Sequence, residues 1–567
     1  MSSDQVYFLY GTESGNSEKV ASIGCKSAIA LGYDAELVDM GQLDMESLHD
    51  WHNLFMVIGT NGEGEMPLNA ESAWEDAQAN QLTGLSELKF AVLGLGDSSY
   101  DYYCQAGHDW DAYLEASGAE RLVDCGEADS DFMAESMAWL TDALVALSGK
   151  PEDDVRKIID DVVSGAVDEN AEEGWSASNP WQAKILEKRN LCSEASSKSV
   201  WHYSLCLKDS GIVYKPGDCI DILPVNEKPL VEKLIEVMGW SGDEPVTVEG
   251  TTYTIRKALE EHLEIRQPTL KLLKLLAARG DSAEFKRVVQ QTKADIEQFT
   301  YGHDVLSLVE EYTKPPAPKT DFKSKIKALL GKPEFMPRIE ARVFVSYLKA
   351  VHPRAYSIAS SYNANPDEVH LTIADVKYQR KGREHKGACS IYLAERVNVG
   401  DTVKCWLLTN KYFVLPEDNN IPLIMVGPGT GIAPFIAFLE EREHRKAEGK
   451  NWLFFGDRES ANDFLYRDEL EAFQEKGLLT RLDTAFSRDQ EEKVYVQHKM
   501  QKAGKEIYEW LQQGAIFYVC GDAKHMAQDV EDTLIAILQE HGQKDEEQAR
   551  KYLKTMQRER RYLKDVY

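Results

Sequence analysis

Short apolar runs separated by amphipathic stretches dominate residues 5–148. Val6–Tyr10, Leu54–Ile58 and Phe90–Leu95 are apolar without alternation, and Arg121–Asp124 follows as a fourth run. Runs of this kind predict a parallel sheet buried on both faces, with crossover helices between the strands. Residues 149–178 break the pattern. They are rich in Asp, Glu, Ser and Ala, and only Val155–Val163 is amphipathic, so the stretch reads as a flexible acidic linker. From Asn179 alternation takes over. Lys184–Asn190, Ser199–Lys208, Cys219–Leu223, Arg338–Ser346, Tyr356–Ala359 and Val369–Val376 read as strands of a β-barrel. Helical periodicity over 227–312, as in Lys228–Met238 and Thr269–Ala278, interrupts that barrel, giving an insert at about 225–337. Residues 419–567 return to strand–helix alternation, with strands at Leu423–Val426, Trp452–Gly456, Leu479–Ala485 and Ile516–Cys520. The expected domains are therefore 1–148, a linker over 149–178, a barrel with its insert over 179–418, and a second α/β domain over 419–567.

A length of 567 residues suits three to four domains. The chain has no apolar run long enough to span a membrane. The opening Met1-Ser2-Ser3-Asp4 has no secretory pattern, and nine dispersed cysteines without CxxC pairing read as reduced cytoplasmic thiols. No metal site is expected. The net charge is −31, of which residues 1–148 carry −23, with Lys19, Lys26, Lys89 and Arg121 as their only basic residues besides histidine. That imbalance fits solubility, salt adaptation, or an acidic face that steers a basic partner. It disfavours nucleic acid, a polyanion.

Three Gly- and Ser-rich loops follow strands of the first sheet, where open α/β sheets bind ligands. The first is Gly11-Thr12-Glu13-Ser14-Gly15-Asn16-Ser17. It offers hydroxyls and backbone donors at a helix start, and no cation, which suits the phosphate of FMN. The second is Gly59-Thr60-Asn61-Gly62, and the third Leu95-Gly96-Asp97-Ser98-Ser99-Tyr100-Asp101-Tyr102-Tyr103-Cys104. Glycine lets backbone approach a flavin ring, and Tyr100 is a candidate to stack on it. Arg354-Ala355-Tyr356-Ser357 places a guanidinium and an aromatic ring on one strand face, suited to a diphosphate and a flavin. Gly387-Ala388-Cys389-Ser390 opens a helix and reads as a second diphosphate cradle. Gly427-Pro428-Gly429-Thr430-Gly431-Ile432-Ala433-Pro434 is a nucleotide-type turn between a strand and a helix. Ser487-Arg488 and Lys493-Val494-Tyr495-Val496-Gln497 gather hydroxyls and cations that favour a 2′-phosphate, hence NADPH over NADH.

Taken together, these motifs resemble the diflavin reductase family, and within it the branch that serves NADPH-dependent sulfite reduction. The resemblance covers nearly the whole chain. It rests on Leu95–Gln105, Lys450–Gly456, Ser487–Gln497 and the ending Arg560-Arg561-Tyr562-Leu563-Lys564-Asp565-Val566-Tyr567. It implies a flavodoxin-like FMN domain, a ferredoxin-reductase-type FAD barrel with a helical connecting insert, and a Rossmann-like NADP domain. It adds Thr372-Ile373-Ala374, Tyr378 and Tyr567 to the FAD site and Asp529 to the NADPH site. It assigns hydride transfer to Ser357, Cys520 and Asp565, with Tyr567 moving aside for the nicotinamide. From its position alone, Cys520 is an apolar strand end. The implied activity passes electrons from NADPH to FAD, to FMN, and to a haemoprotein. The implied acceptor is the sirohaem iron–sulfur subunit of sulfite reductase, and a haem-thiolate monooxygenase is the alternative. Two departures from the family carry expectations. Asn61 stands where some relatives place a stacking aromatic, which implies a more exposed FMN. A missing N-terminal extension implies a monomer.

Overall fold

The computed structural model describes residues 5–567 apart from 63, 80, 98–101, 130–131, 167–174, 178, 249, 281, 292, 302, 314–338 and 381–382. The first sheet is built from β1 (Gln5–Gly11), β2 (Asp34–Asp39), β3 (Asn53–Gly59), β4 (Lys89–Leu95) and β5 (Glu120–Arg121). It is parallel throughout, in the order β2-β1-β3-β4-β5, and β6 (Gly126–Ala128) also pairs with β4. The run expected at Arg121–Asp124 is thus split into two short strands. Phe55, Met56, Val57 and Ile58 are all fully buried, because crossover helices cover both faces of the sheet. Helix α1 (Asn16–Leu31) opens at Gly15, with φ at 84°, and closes at Gly32, with φ at 102°. Helices α2 (Leu68–Ala79), α3 (Gln105–Ala116) and α4 (Met133–Ser148) complete the layers.

Part of the stretch read as a linker is ordered. Residues Glu152–Ala166 form α5, and Val155 and Ile159 are buried in the core shared with α1 and α4. The i, i+4 spacing of these two residues within Val155–Val163 supplies the apolar stripe. By Trp175 the chain is already attached to the next module, since that indole N–H donates to the Ser210 carbonyl at 2.6 Å.

The second module holds β7 (Trp181–Asn190), β8 (Val200–Cys206), β9 (Cys219–Leu223), a hairpin of β10 (Pro245–Val248) and β11 (Thr251–Thr254), β12 (Arg354–Ser357), β13 (Glu368–Ala374), a second hairpin of β14 (Lys377–Arg380) and β15 (Arg383–Lys386), and β16 (Thr402–Leu408). Six of these strands pair antiparallel in the order β12-β9-β16-β7-β8-β13. The two outer strands meet at the Ile358–Leu371 bridge, which curls the sheet toward the expected barrel. The helical insert has its own core around Leu234, Leu272, Phe285 and Phe344. The strand expected over Arg338–Ser346 is not found. Arg338 lies outside the described residues, and Ala341–Val345 is a helix. Its buried residues Ala341, Phe344 and Val345 recur at helical spacing, and Phe344 packs edge-on against Trp240 in that core. Tertiary packing outweighs β-propensity at this point.

The third sheet is parallel. Its order is β19-β18-β17-β20-β21, built from β17 (Leu423–Val426), β18 (Asn451–Asp457), β19 (Leu479–Phe486), β20 (Ile516–Gly521) and β21 (Tyr562–Val566). The sequence pattern did not mark β21 as a strand. A buried network joins this domain to the barrel. Tyr466 hydroxyl lies 3.0 Å from His202 Nδ1 and 2.7 Å from Thr372 Oγ1. Lys198 pairs with Asp457 at 2.6 Å alongside it.

Candidate functional site

All three sheets direct residues to one cleft with a volume of about 1360 Å³. That exceeds the roughly 300–1,000 Å³ of a site for one small ligand. The excess leaves room for more than one ligand.

On one side lie the loops of the first sheet. Thr12 and Ser17 are buried, and the Gly15 N–H donates to Thr12 Oγ1 at 2.9 Å, which shapes the turn at the start of α1. The Thr12 N–H is held by Asn69 at 2.7 Å. Glu13, Ser14 and Asn16 line the cleft, as do Gly59, Thr60, Asn61 and Gly62. The Thr60 hydroxyl accepts from the Ala106 N–H at 3.2 Å and ties the second loop to the start of α3, just past the third. Leu95, Gly96, Asp97, Tyr102, Tyr103 and Cys104 line the cleft too. Cys104 adopts φ at 55°, and a Cβ on Gly96 would meet its backbone nitrogen at 2.8 Å, so the loop folds this closely only with glycine there. Burial pushes the Cys104 thiol up to about 12, so it stays protonated. Ser98, Ser99, Tyr100 and Asp101 lie outside the described residues.

On the other side lies β12. Arg354, Ala355, Tyr356 and Ser357 all line the cleft. The Arg354 guanidinium donates only to the His352 and Pro353 carbonyls, at 3.3 and 3.0 Å, and no carboxylate lies within ion-pair distance among the described residues. Asp221 on the neighbouring strand feels the Arg354 charge but does not pair with it, and a guanidinium free to donate into a cleft suits a diphosphate. Gly387, Ala388, Cys389 and Ser390 face the same space, and a Cβ on Gly387 would crowd Ser390 and Val376. Thr372, Ile373 and Ala374 also line it. Tyr378 lies parallel between two rings, Tyr301 at 5.6 Å and His385 at 5.1 Å.

Ser357, Cys520 and Asp565 come from three strands of two domains and meet. The Ser357 hydroxyl donates to Asp565 Oδ2 at 2.8 Å, and the Cys520 thiol approaches the same oxygen at 3.7 Å. Burial raises the Asp565 carboxyl, while these two hydrogen bonds oppose the rise. Burial first, and then the nearby Asp565 charge, raise the Cys520 thiol, which remains neutral. Cys219 was not singled out by the sequence, yet its sulfur lies 4.0 Å from the Ser357 hydroxyl. Tyr567 is 64% exposed, and its phenol shares a hydrogen bond with Thr430 at 2.8 Å across the cleft mouth.

The glycine turn Gly427, Gly429, Gly431 follows β17, with Gly429 at φ 58°. A Cβ on Gly431 would run into the Cys520 carbonyl, so the turn packs on β20 only with glycine. Ser487 and Arg488 follow β19, and the Arg488 N–H bonds the Arg458 carbonyl at 2.8 Å. Both arginines reach the Ser197 hydroxyl, Arg458 at 3.0 Å and Arg488 at 3.4 Å. Arg458 was missed by sequence reasoning. Its one available signal was a cation just past the C-terminal end of a parallel strand. Lys493, Val494 and Tyr495 lead into Val496, which is buried against Gly456 at the end of β18. Gln497 donates to Asp529 at 2.9 Å. These residues follow strands of the third sheet; of the glycine turn, Thr430 and Ala433 line the cleft, whereas Ser487, Arg488 and Lys493–Gln497 do not. The cleft also takes in Arg266 of the helical insert and Tyr412 of the loop after β16, which belong to no motif.

The first and second modules touch through one ion pair and two further polar contacts. Lys411 pairs with Glu18 at 2.7 Å, His352 approaches Asp97 at 3.7 Å, and Tyr412 hydroxyl accepts from Asn69 at 3.2 Å. The third domain adds Lys564 with Glu71 at 3.4 Å, and Lys554 with Asp76.

Fold and site define a flavoprotein oxidoreductase with FMN, FAD and NADPH domains in one chain. Family models agree: a flavodoxin matches residues 8–139, an FAD binding domain 174–392, and an oxidoreductase NAD-binding domain 425–532. The chain is 39% identical over its full length to the NADPH-sulfite reductase flavoprotein alpha-component of Bacillus subtilis, covering 89% of that protein. It is 38% identical over its full length to the Vibrio cholerae protein of the same name, covering 88% of it. It is 36% identical over 99% of its length to that of Shewanella sp. strain ANA-3, covering 89% of it. The chain belongs to the family of NADPH-sulfite reductase flavoprotein alpha-components, a branch of the diflavin reductases. Among the described residues, no helix is long and apolar enough to cross a membrane.

Proposed function

We propose that this chain takes reducing equivalents from NADPH and delivers them one at a time to a haemoprotein, the sirohaem iron–sulfur subunit of sulfite reductase. When bound, FAD would supply two-electron hydride acceptance and FMN one-electron release. The observation that carries the reading is one cleft in which the Thr12–Ser17 turn of the first domain faces the Ser357–Asp565 pair of the other two.

The residues divide the work by their chemistry. Neutral donors of Thr12, Ser14 and Ser17 at the α1 N-terminus hold the FMN phosphate, while Gly59–Gly62 and Leu95–Cys104 hold its ring. Arg354 and the helix start at Gly387–Ser390 hold the FAD diphosphate, and Tyr356 and Tyr378 supply aromatic surface. Arg488 and Lys493, joined by Arg458, hold the 2′-phosphate of NADPH, and Gly427–Gly431 admits its diphosphate. Tyr567 covers the hydride site through its bond to Thr430, and it must leave before a nicotinamide can enter. Ser357, Cys520 and Asp565 then orient the nicotinamide and meet the charge that moves with hydride. Nine free thiols suit a reducing compartment, and we place the protein in the cytoplasm.

Anaerobic titration of the flavin-loaded protein with NADPH, followed by addition of a sirohaem sulfite reductase subunit, tests the reading. Flavin bleaching with haem reduction is the expected result. Flavins that NADPH bleaches but that leave the sirohaem oxidised would remove this acceptor.

A further inference from the structure

Strand β21 carries three consecutive commitments. Leu563 is in the core of the third domain, Lys564 reaches the first domain, and Asp565 receives the Ser357 hydroxyl. β21 is also the outermost strand of its sheet, so it is held by a single ladder, with Val519 opposite Lys564 and Cys520 opposite Asp565. An edge strand of five residues has a free side that something must cover. Here α2 of the first domain reaches β21 from outside its own sheet, through the Lys564 side chain. Glu71 on that helix lies 3.4 Å from Lys564, and Glu531 of the third domain lies 3.8 Å from the same nitrogen.

The second strand of the hydride site is tied in the same way. Ser357 ends β12, and His352, two residues ahead of the start of β12, faces Asp97 on the third loop of the first domain. The coupling is also electrostatic. Glu13, on the first loop, hydrogen-bonds the Leu68 N–H at the start of α2. Its carboxyl is raised chiefly by burial, with Glu71 and Asp565 among the neighbours that add to the rise.

We propose that Lys564 is a positioning residue that couples docking of the FMN domain to hydride transfer, because its pairing with Glu71 fixes the edge strand that presents Asp565 to Ser357. With the FMN domain docked, Glu71 adds a hold on β21 next to Asp565. Without that contact, the strand keeps the β20 ladder, Glu531 and the burial of Tyr562 and Leu563, but loses the tie beside Asp565. FAD is therefore reduced fastest when FMN stands ready to receive its electrons, so reduced FAD does not accumulate without an acceptor nearby. This inference rests on the functional reading above and concerns the regulation of the same site.

The same interface supplies its own control. Lys554 pairs with Asp76 farther along α2, but Lys554 lies on the helix Glu546–Arg558 and not on β21. Loss of that pair removes one contact of the interface, while Lys564–Glu71 and Lys411–Glu18 still hold the FMN domain docked and the edge strand in place. The test uses the full chain loaded with both flavins, with flavin content measured first to confirm folding. Glu71→Gln and Lys564→Gln are each expected to slow single-turnover reduction of FAD by NADPH by about fivefold or more, as small misplacements of reacting groups do. The KM for NADPH should stay level. Deuterium uptake in 562–567 should rise in both variants, a readout independent of turnover, and Lys564→Arg should restore both properties. Asp76→Asn should leave the hydride step within about twofold of wild type, the scale of an exposed pair. Equal slowing by all three substitutions, or unchanged uptake in 562–567, overturns the coupling. A wild-type protein whose FAD is not reduced by NADPH would instead overturn the functional reading itself.

Discussion

The Ser357 hydroxyl donates to the Asp565 carboxylate at 2.8 Å, although the two residues are 208 positions apart in the chain. The bond crosses from the barrel to the NADP domain, so Ser357, Cys520 and Asp565, which we propose as the hydride site, come together only when these domains are packed. Asp565→Asn keeps the shape but removes the charge. It should slow FAD reduction by about 100-fold, the scale found when one preorganised electrostatic group is lost from an active site. Stopped-flow absorbance of the flavin under anaerobic conditions checks this, and flavin content should be unchanged.

Arg488 and Lys493 have no carboxylate partner among the described residues, and Arg458 shares the Ser197 hydroxyl with Arg488. The double substitution Arg488→Ala and Lys493→Ala should raise the KM for NADPH by at least about tenfold. Each charge-assisted contact to the 2′-phosphate contributes roughly 1.5–3 kcal/mol. The KM for NADH should barely move. Adding Arg458→Ala should raise the NADPH value further, and parallel changes for both nucleotides would exclude these residues from 2′-phosphate recognition.

The purified protein should release FMN and FAD in equal amounts, since two separate sets of residues face the cleft. Arg354→Ala should lower retained FAD and leave FMN in place, because the guanidinium lies on the β12 side. Chromatography of the extracted flavins decides both points. Recovery of FAD alone from intact protein would count against an FMN site at Thr12–Ser17.

Acid should loosen the barrel from the NADP domain. Burial, followed by the neighbouring His370 and Arg189 charges, lowers His202 to about 3, and burial also lowers His370. A histidine whose folded pKa lies below its unfolded value of about 6.5 is neutral in the native state and takes up a proton on unfolding. The stability it supports is present above about 6.5 and is lost as pH falls from there toward 3. For His202 the slope is about 1.4 kcal/mol per pH unit within that window. Denaturant unfolding at pH 7.5 and 5 measures the loss, and His202→Gln should flatten the slope. A stability that does not change between these two values would show that His202 is not held neutral by its burial.

The sequence by itself determined the parallel sheets and the glycine turns after their strands. These features are local: a continuous apolar run sets a buried strand, and glycine next to a strand end sets a close-packed turn. It also marked Ser357, Cys520 and Asp565, though only through resemblance, since nothing in their spacing brings them together. Tertiary structure alone decided that β12, β20 and β21 converge, that Cys219 stands beside Ser357, and that the FMN loops face the barrel. It also turned Ala341–Val345 into helix and part of the supposed linker into α5, because each found a core to bury its apolar residues in. β21 escaped notice for the opposite reason. An edge strand that gives Lys564 to a neighbouring domain and Asp565 to Ser357 lacks the apolar pattern that marks an inner strand, and only the β20 ladder and the docked FMN domain reveal what it is.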